Sequence, residues 1–131
     1  MSQFHFSIRT PAKGVRGLGS AKSGTGHFWH QRLTAVALVP LVLAFVAIVI
    51  CAIGKDYEAA RAIIGHPLSA IIMLLFIITG AIHMRIGMQV IIEDYVHHEG
   101  LKVAVVILNT LFSIAVMVAA VFAVLKISFG V

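Results

Sequence analysis

The stretch Leu33-TAVALVPLVLAFVAIVICAI-Gly54 runs for 22 residues without a charged side chain. About 20 apolar residues at 1.5 Å rise cross a ~30 Å hydrocarbon core, so this segment is long enough to span a bilayer. Two more segments read the same way, Ala62–Met84 with 23 uncharged residues and Val103–Leu125 with 23. Lipid offers no partner to a free N–H or C=O, and runs of this length are too long for barrel strands, so all three are helices. The composition agrees. Hydrophobic residues make up 60% and charged residues 11%, against about 45–50% and about 25% in a soluble domain. With a mean hydropathy of +1.04, the expected class is an all-α membrane protein with three transmembrane helices.

Charge orients the chain. Residues 1–32 carry Arg9, Lys13, Arg16, Lys22 and Arg32 with no acid. The segment Arg85–Lys102 adds two cations on the same side, whereas Lys55, Arg61 and Lys126 fall on the other. The positive-inside rule puts the N-terminus and the second loop inside. The formal net charge of +5 is therefore topological, and no nucleic-acid partner is expected. Residues 1–32 read as an inner-side arm and 33–131 as the membrane domain, with spans at about 33–54, 62–84 extending toward 89, and 103–125. The arm is basic and acid-free like a mitochondrial transit peptide, but Gly14, Gly17, Gly19, Gly24 and Gly26 oppose a long amphipathic helix. A retained, extended arm and a bacterial inner membrane are expected, and no secretory signal. Cys51 has no partner for an internal disulfide.

Within the spans, Pro40 removes a backbone donor and is expected to kink the first helix. Ala115, Ala119 and Ala123 lie at i, i+4 and i+8, and Asn109 and Ser113 are four apart, which reads as helix packing. Pro67 suits the first position of the second helix, with His66 near its cap.

One side chain stands out. His83 lies 16 residues after Pro67, about 24 Å along the axis, toward the inner part of the core. Ionisable groups at such depth are functional candidates; the alternative is a neutral histidine bonded to a neighbouring helix. Gly80 and Gly87 lie on its face and would leave room for a flat group such as a haem, whose iron takes an axial imidazole. Beyond it, Glu93 and Asp94 mark the exit into water. Tyr95 is either a belt aromatic or a phenol donating to a ligand at the surface. Helical extension from His83 would carry Tyr95 about 18 Å further, past the boundary, so a bend after Gln89 is expected. His97-His98-Glu99 matches no zinc spacing and reads as a solvated turn ended by Gly100. Phe28 and Trp29 read as interfacial aromatics. Arg32 is either an orienting charge or the partner of an acid such as a haem propionate.

The run His83-MRIGMQVIIE-Asp94-Tyr95 resembles the signature of the smaller, haem b-binding hydrophobic membrane-anchor subunit of succinate dehydrogenase (succinate:quinone oxidoreductase, respiratory complex II). In that family Ile-Gly-Met begins three residues after the histidine, and an Asp-Tyr pair places the tyrosine 12 residues after it. Arg32-Leu-Thr-Ala resembles the family's Arg-x-Thr-Ala. The resemblance implies that His83 is the axial ligand to the iron of haem b, that Arg32 meets a haem propionate, and that Tyr95, with Asp94 nearby, serves the ubiquinone site. The family's histidine upstream of this arginine is matched imperfectly: His27 is one residue closer, and His30 is a second candidate. One credible mid-membrane histidine leaves the other axial ligand to a second anchor subunit of cytochrome b556 type. An iron–sulfur subunit and a flavoprotein subunit would complete the complex. The chain has no dinucleotide fingerprint and no cysteine cluster, so succinate oxidation would belong to those partners. The competing expectation is a non-redox three-helix assembly or transport subunit, with His83 only bridging helices.

Overall fold

The computed structural model describes residues 25–130, and the described residues are helical with three short breaks. The helices are α1 (Thr25–Ala52), α2 (Tyr57–Gly65), α3 (Pro67–Tyr95) and α4 (Glu99–Phe129). α1, α3 and α4, of 28, 29 and 31 residues, are long and apolar enough to cross a membrane. The three-span, all-helical expectation therefore holds.

The ends follow from local chemistry. Asp56 caps α2 by accepting from the Ala59 N–H at 2.9 Å. α2 stops at Gly65 because Pro67 disfavours helical backbone at His66, which has ψ 134°. Pro67 then opens α3, and His66 Nδ1 accepts from the Leu68 N–H at 3.3 Å. At the other turn His98 Nδ1 accepts from the Leu101 N–H at 3.3 Å, with Glu99 in the first turn of α4 favouring the positive end of the helix dipole. α4 closes at Gly130, whose φ of 73° is left-handed.

Several boundaries differ from the sequence reading. Residues 1–24, with Arg9, Lys13, Arg16 and Lys22, lie outside the described residues, but residues 25–32 of the expected arm form the first two turns of α1. The loop drawn at Lys55–Arg61 and the start of the second apolar run are largely α2. Gly100 does not end a turn; it is the second residue of α4. Most importantly, α3 does not break after Gln89 but continues to Tyr95. Twenty-nine residues give about 43 Å at 1.5 Å per residue, close to the ~40–45 Å of a bilayer with its headgroups. A straight helix therefore reaches the interface without a bend.

The three long helices form an open row. α3 lies in the middle and packs on both α1 and α4, which do not pack on each other. α2 lies across the far end and touches all three. Phe45 of α1 stacks on Phe76 of α3 with centroids 4.5 Å apart. Between α3 and α4, the Asn109 Nδ2–H donates to the Arg85 carbonyl at 3.0 Å, while within α4 the buried Ser113 Oγ–H donates to the Asn109 carbonyl at 2.7 Å. Asn109 thus takes part in helix packing as expected. The buried residues are few, namely Ala70, Ile86, Ile92, Val124 and Ser113. Leu33, Val36, Leu43, Leu108 and Phe122 are all exposed. A single layer of helices cannot cover its own apolar faces, so lipid and other helices must do so. The Ala115, Ala119 and Ala123 stripe is among those uncovered faces.

Candidate functional site

His83 sits in the α1–α3 seam. Its Nδ1 lies 3.0 Å from Thr34 Oγ1, and its Nε2 lies 3.3 Å from Gln31 Nε2. The Thr34 hydroxyl also approaches the His30 carbonyl at 2.7 Å and the Gln31 carbonyl at 3.1 Å. Both carbonyls only accept, so a hydroxyl proton directed along α1 leaves Thr34 Oγ1 a lone pair for His83, and a ring protonated on Nδ1 matches it with a lone pair left on Nε2. The Gln31 amide turns its NH2 toward that lone pair. Its Oε1 is buried without a hydrogen-bond partner among the described residues, an arrangement that costs about 1–3 kcal/mol.

The glycines flanking His83 face α1. A Cβ on Gly87 would come 3.2 Å from Gln31 Nε2, and one on Gly80 would meet Leu38 at 3.9 Å. The room they leave is thus taken up within this chain by α1 side chains. In this respect the histidine adopts the interhelical bonding weighed as the alternative, while keeping one nitrogen only weakly engaged.

Arg32 is exposed one residue beyond Gln31, with its Cζ 4.2 Å above the Phe28 ring. Phe28 in turn meets Trp29 edge-on, with centroids 5.8 Å apart. A cavity of about 330 Å³ joins Arg32 to Gln31, Phe28, His27, Ile86 and Val90. A second, of about 250 Å³, is lined by His27, His30, Arg85, Ile82, Ile86 and Gly26. The His30 ring nitrogen Nδ1 is tied to the Gly26 carbonyl at 2.7 Å.

Asp94 and Tyr95 end α3, both exposed. At 3.6 residues per turn, Asp94 falls within about 20° of the His83 face and Tyr95 about 120° from it. The two side chains therefore leave the helix about 100° apart. His97 and His98 are exposed, as expected of a solvated turn, but His98 is also the α4 cap. Among the described residues no three His, Cys, Asp or Glu side chains cluster as a metal site. Thr34 and Gln31 are the two site residues that sequence reasoning missed. Their spacing of three on a helix, one turn from Leu38, was the available signal.

The family described as succinate dehydrogenase/fumarate reductase transmembrane subunit matches residues 7–124. The chain belongs to that family. It is 40% identical over 121 residues to the succinate dehydrogenase hydrophobic membrane anchor subunit of Paracoccus denitrificans, covering 92% of this chain and 93% of the relative. The protein of the same name from Rickettsia bellii is 34% identical, with 91% and 95% covered. The succinate dehydrogenase membrane anchor subunit of Reclinomonas americana is 33% identical, with 73% and 82% covered. No solved structure matches the chain. The expected kinship with succinate dehydrogenase membrane anchors thus holds, and the non-redox assembly or transport reading is set aside.

Haem b is the group this family resemblance brings with it, and the donor set bears on its fit. An imidazole whose Nδ1–H is fixed by an oxygen, with Nε2 bare, is the form that ligates iron. An exposed guanidinium one residue from Gln31 supplies a partner for a carboxylate. The residues present fit one axial position and one propionate contact.

Proposed function

We propose that this membrane anchor holds haem b through His83 Nε2 and contributes Tyr95 and Asp94 to a ubiquinone site. The observation that carries the proposal is the 3.0 Å contact of His83 Nδ1 with Thr34 Oγ1, with only a long 3.3 Å contact at Nε2. Arg32 would pair with a propionate, its guanidinium kept at the interface by Phe28. Haem b, when bound, supplies a one-electron redox centre inside the membrane. The chain's own residues do the rest. Thr34 holds the Nδ1 proton, His83 Nε2 offers the donor pair, and Arg32 balances an anionic group at the inner end.

The open row of helices supports a partner on the same membrane level. One imidazole leaves the second axial ligand to another chain, a second anchor subunit of cytochrome b556 type. The iron–sulfur and flavoprotein subunits would stand on the side of the N-terminus, read as the inner side of a bacterial inner membrane from the charge asymmetry. Electrons from succinate, oxidised in those subunits, would reach quinone at the end of α3. Asp94 and Tyr95 are both exposed there, so a carboxylate and a phenol would be open to a quinone and to the aqueous side.

The test is His83→Leu in the assembled complex. The b-type haem spectrum should be lost or shifted, while succinate oxidation with a soluble dye persists in the partner subunits. An unchanged bis-imidazole spectrum would place the ligand on another residue.

A further inference from the structure

We propose that Thr34 is the positioning residue of the haem-ligating imidazole, fixing through its hydroxyl which nitrogen of His83 can meet the iron. This rests on the reading of His83 given above. The geometry is a relay of two hydrogen bonds across two helices. The Thr34 Oγ1–H donates to the His30 carbonyl at 2.7 Å within α1. With that proton committed, Oγ1, which lies 3.0 Å from His83 Nδ1 across the seam, is left to accept from an Nδ1–H. A histidine ring free of this contact has two tautomers open to it, and only one has a bare Nε2. The threonine selects it, and α1 thereby orients a ligand carried by α3.

The contact also tunes the ligand. An oxygen accepting from Nδ1–H raises the electron density of the imidazole and so its strength as a donor, which favours the ferric state. The carbonyl polarises the hydroxyl in turn, since hydrogen bonds in a chain strengthen one another. Gln31 stands on the other nitrogen, at a long 3.3 Å and with its own oxygen unpartnered. For Nε2 to serve as a ligand that amide would have to withdraw, and its long contact and unpartnered oxygen make withdrawal cheap. Thr34 and Gln31 therefore have opposite parts: the threonine contact persists when the iron is held, and the glutamine contact is given up.

The experiment compares Thr34→Val, Thr34→Ser and His83→Leu in the complete complex purified from native membranes. Three readouts are taken, namely haem per complex, the low-spin ferric electron paramagnetic resonance signal, and the haem midpoint potential. Valine keeps the branched shape and removes the acceptor. We expect Thr34→Val to raise the midpoint potential and move the low-spin signal, or to lower haem occupancy, with Thr34→Ser restoring the parent values. Thr34→Ala takes the place of valine if the valine variant does not assemble. A Thr34→Val complex with parental signal and potential, in a background where His83→Leu loses the haem, overturns the positioning role and leaves the ligand assignment standing. A His83→Leu complex with an unaltered haem overturns the ligand assignment, and the positioning role with it.

Discussion

His83 and Tyr95 ride on one unbroken helix, 12 residues apart, about 18 Å along the axis and about a third of a turn apart around it. Whatever engages Tyr95 is therefore displaced both in depth and in direction from whatever engages His83. A quinone at the phenol would lie at headgroup level, where it can enter from the lipid and meet water-borne protons. Tyr95→Phe keeps the ring and removes only the hydroxyl. The net contribution of one neutral hydrogen bond is about 0.5–1.5 kcal/mol, so quinone reduction should fall by up to roughly tenfold, with haem content unchanged. Steady-state quinone reduction by the purified complex measures this, and parental turnover would leave Tyr95 as an interfacial aromatic.

Arg32 gives a different kind of prediction, because its guanidinium carbon lies 4.2 Å over the Phe28 ring. Arg32→Lys preserves the topological charge and loses both the fork and the planar stack. Losing one charge-assisted bond of about 1.5 kcal/mol corresponds to roughly 60 mV for a one-electron couple. The haem potential of Arg32→Lys should fall by that order, since an anionic propionate left less well compensated stabilises the ferric iron. A redox titration of the complex decides the matter; an unmoved potential makes Arg32 an orienting charge alone.

Much of this arrangement was legible in the sequence, and what was not has two causes. Three uncharged runs and the His66-Pro67 junction are one-dimensional signals, and each found its place. The extent of α3 was not legible because Glu93 and Asp94 look like an exit from the membrane. In fact they are helical, and a helix of this length matches a bilayer with its headgroup layers. The partners of His83 were hidden for another reason. Thr34 and Gln31 reach it only because α1 runs antiparallel to α3 in one register, and no spacing within either segment states that register. The same holds for Asn109, whose amide finds a backbone carbonyl on α3 rather than a side chain.

Gly65 and Gly80 should respond oppositely to the same substitution. A Cβ on Gly65 would press on the Ile127 carbonyl oxygen at 3.2 Å, where α2 meets the end of α4. Backbone cannot step aside as a side-chain tip can, and the same Gly65 carbonyl accepts from Ser128 Oγ–H at 3.4 Å. Overpacking of this sort costs about 1–3 kcal/mol, so Gly65→Ala should lower the thermal midpoint of the complex. At Gly80 the new methyl would meet Leu38 at an ordinary 3.9 Å. There alanine should be neutral or stabilising by up to about 1 kcal/mol, through the lower entropy of its unfolded chain. Thermal unfolding of the two variants side by side is the check, and equal losses would contradict the packing of α2 on α4.

Gln31 offers the sharpest contrast between stability and cofactor binding. Its buried, unpartnered oxygen costs about 1–3 kcal/mol, and its NH2 makes only one long contact, with His83 Nε2. Gln31→Leu replaces the amide with an apolar group of similar volume that suits the α1–α3 seam. Removing the orphan acceptor should hold or raise the thermal midpoint, by about 1 kcal/mol equivalent. Haem content should be maintained, because the amide must leave Nε2 for iron to be held there. Gln31→Glu should act in the opposite direction. It puts a carboxylate against His83 Nε2, where it holds the ring nitrogen needed for the iron, and partial burial of a charge is costly. Haem per complex and thermal midpoint, measured on both variants, separate the two roles. Loss of haem in Gln31→Leu with an intact fold would make the amide a part of the binding site rather than an obstacle to it.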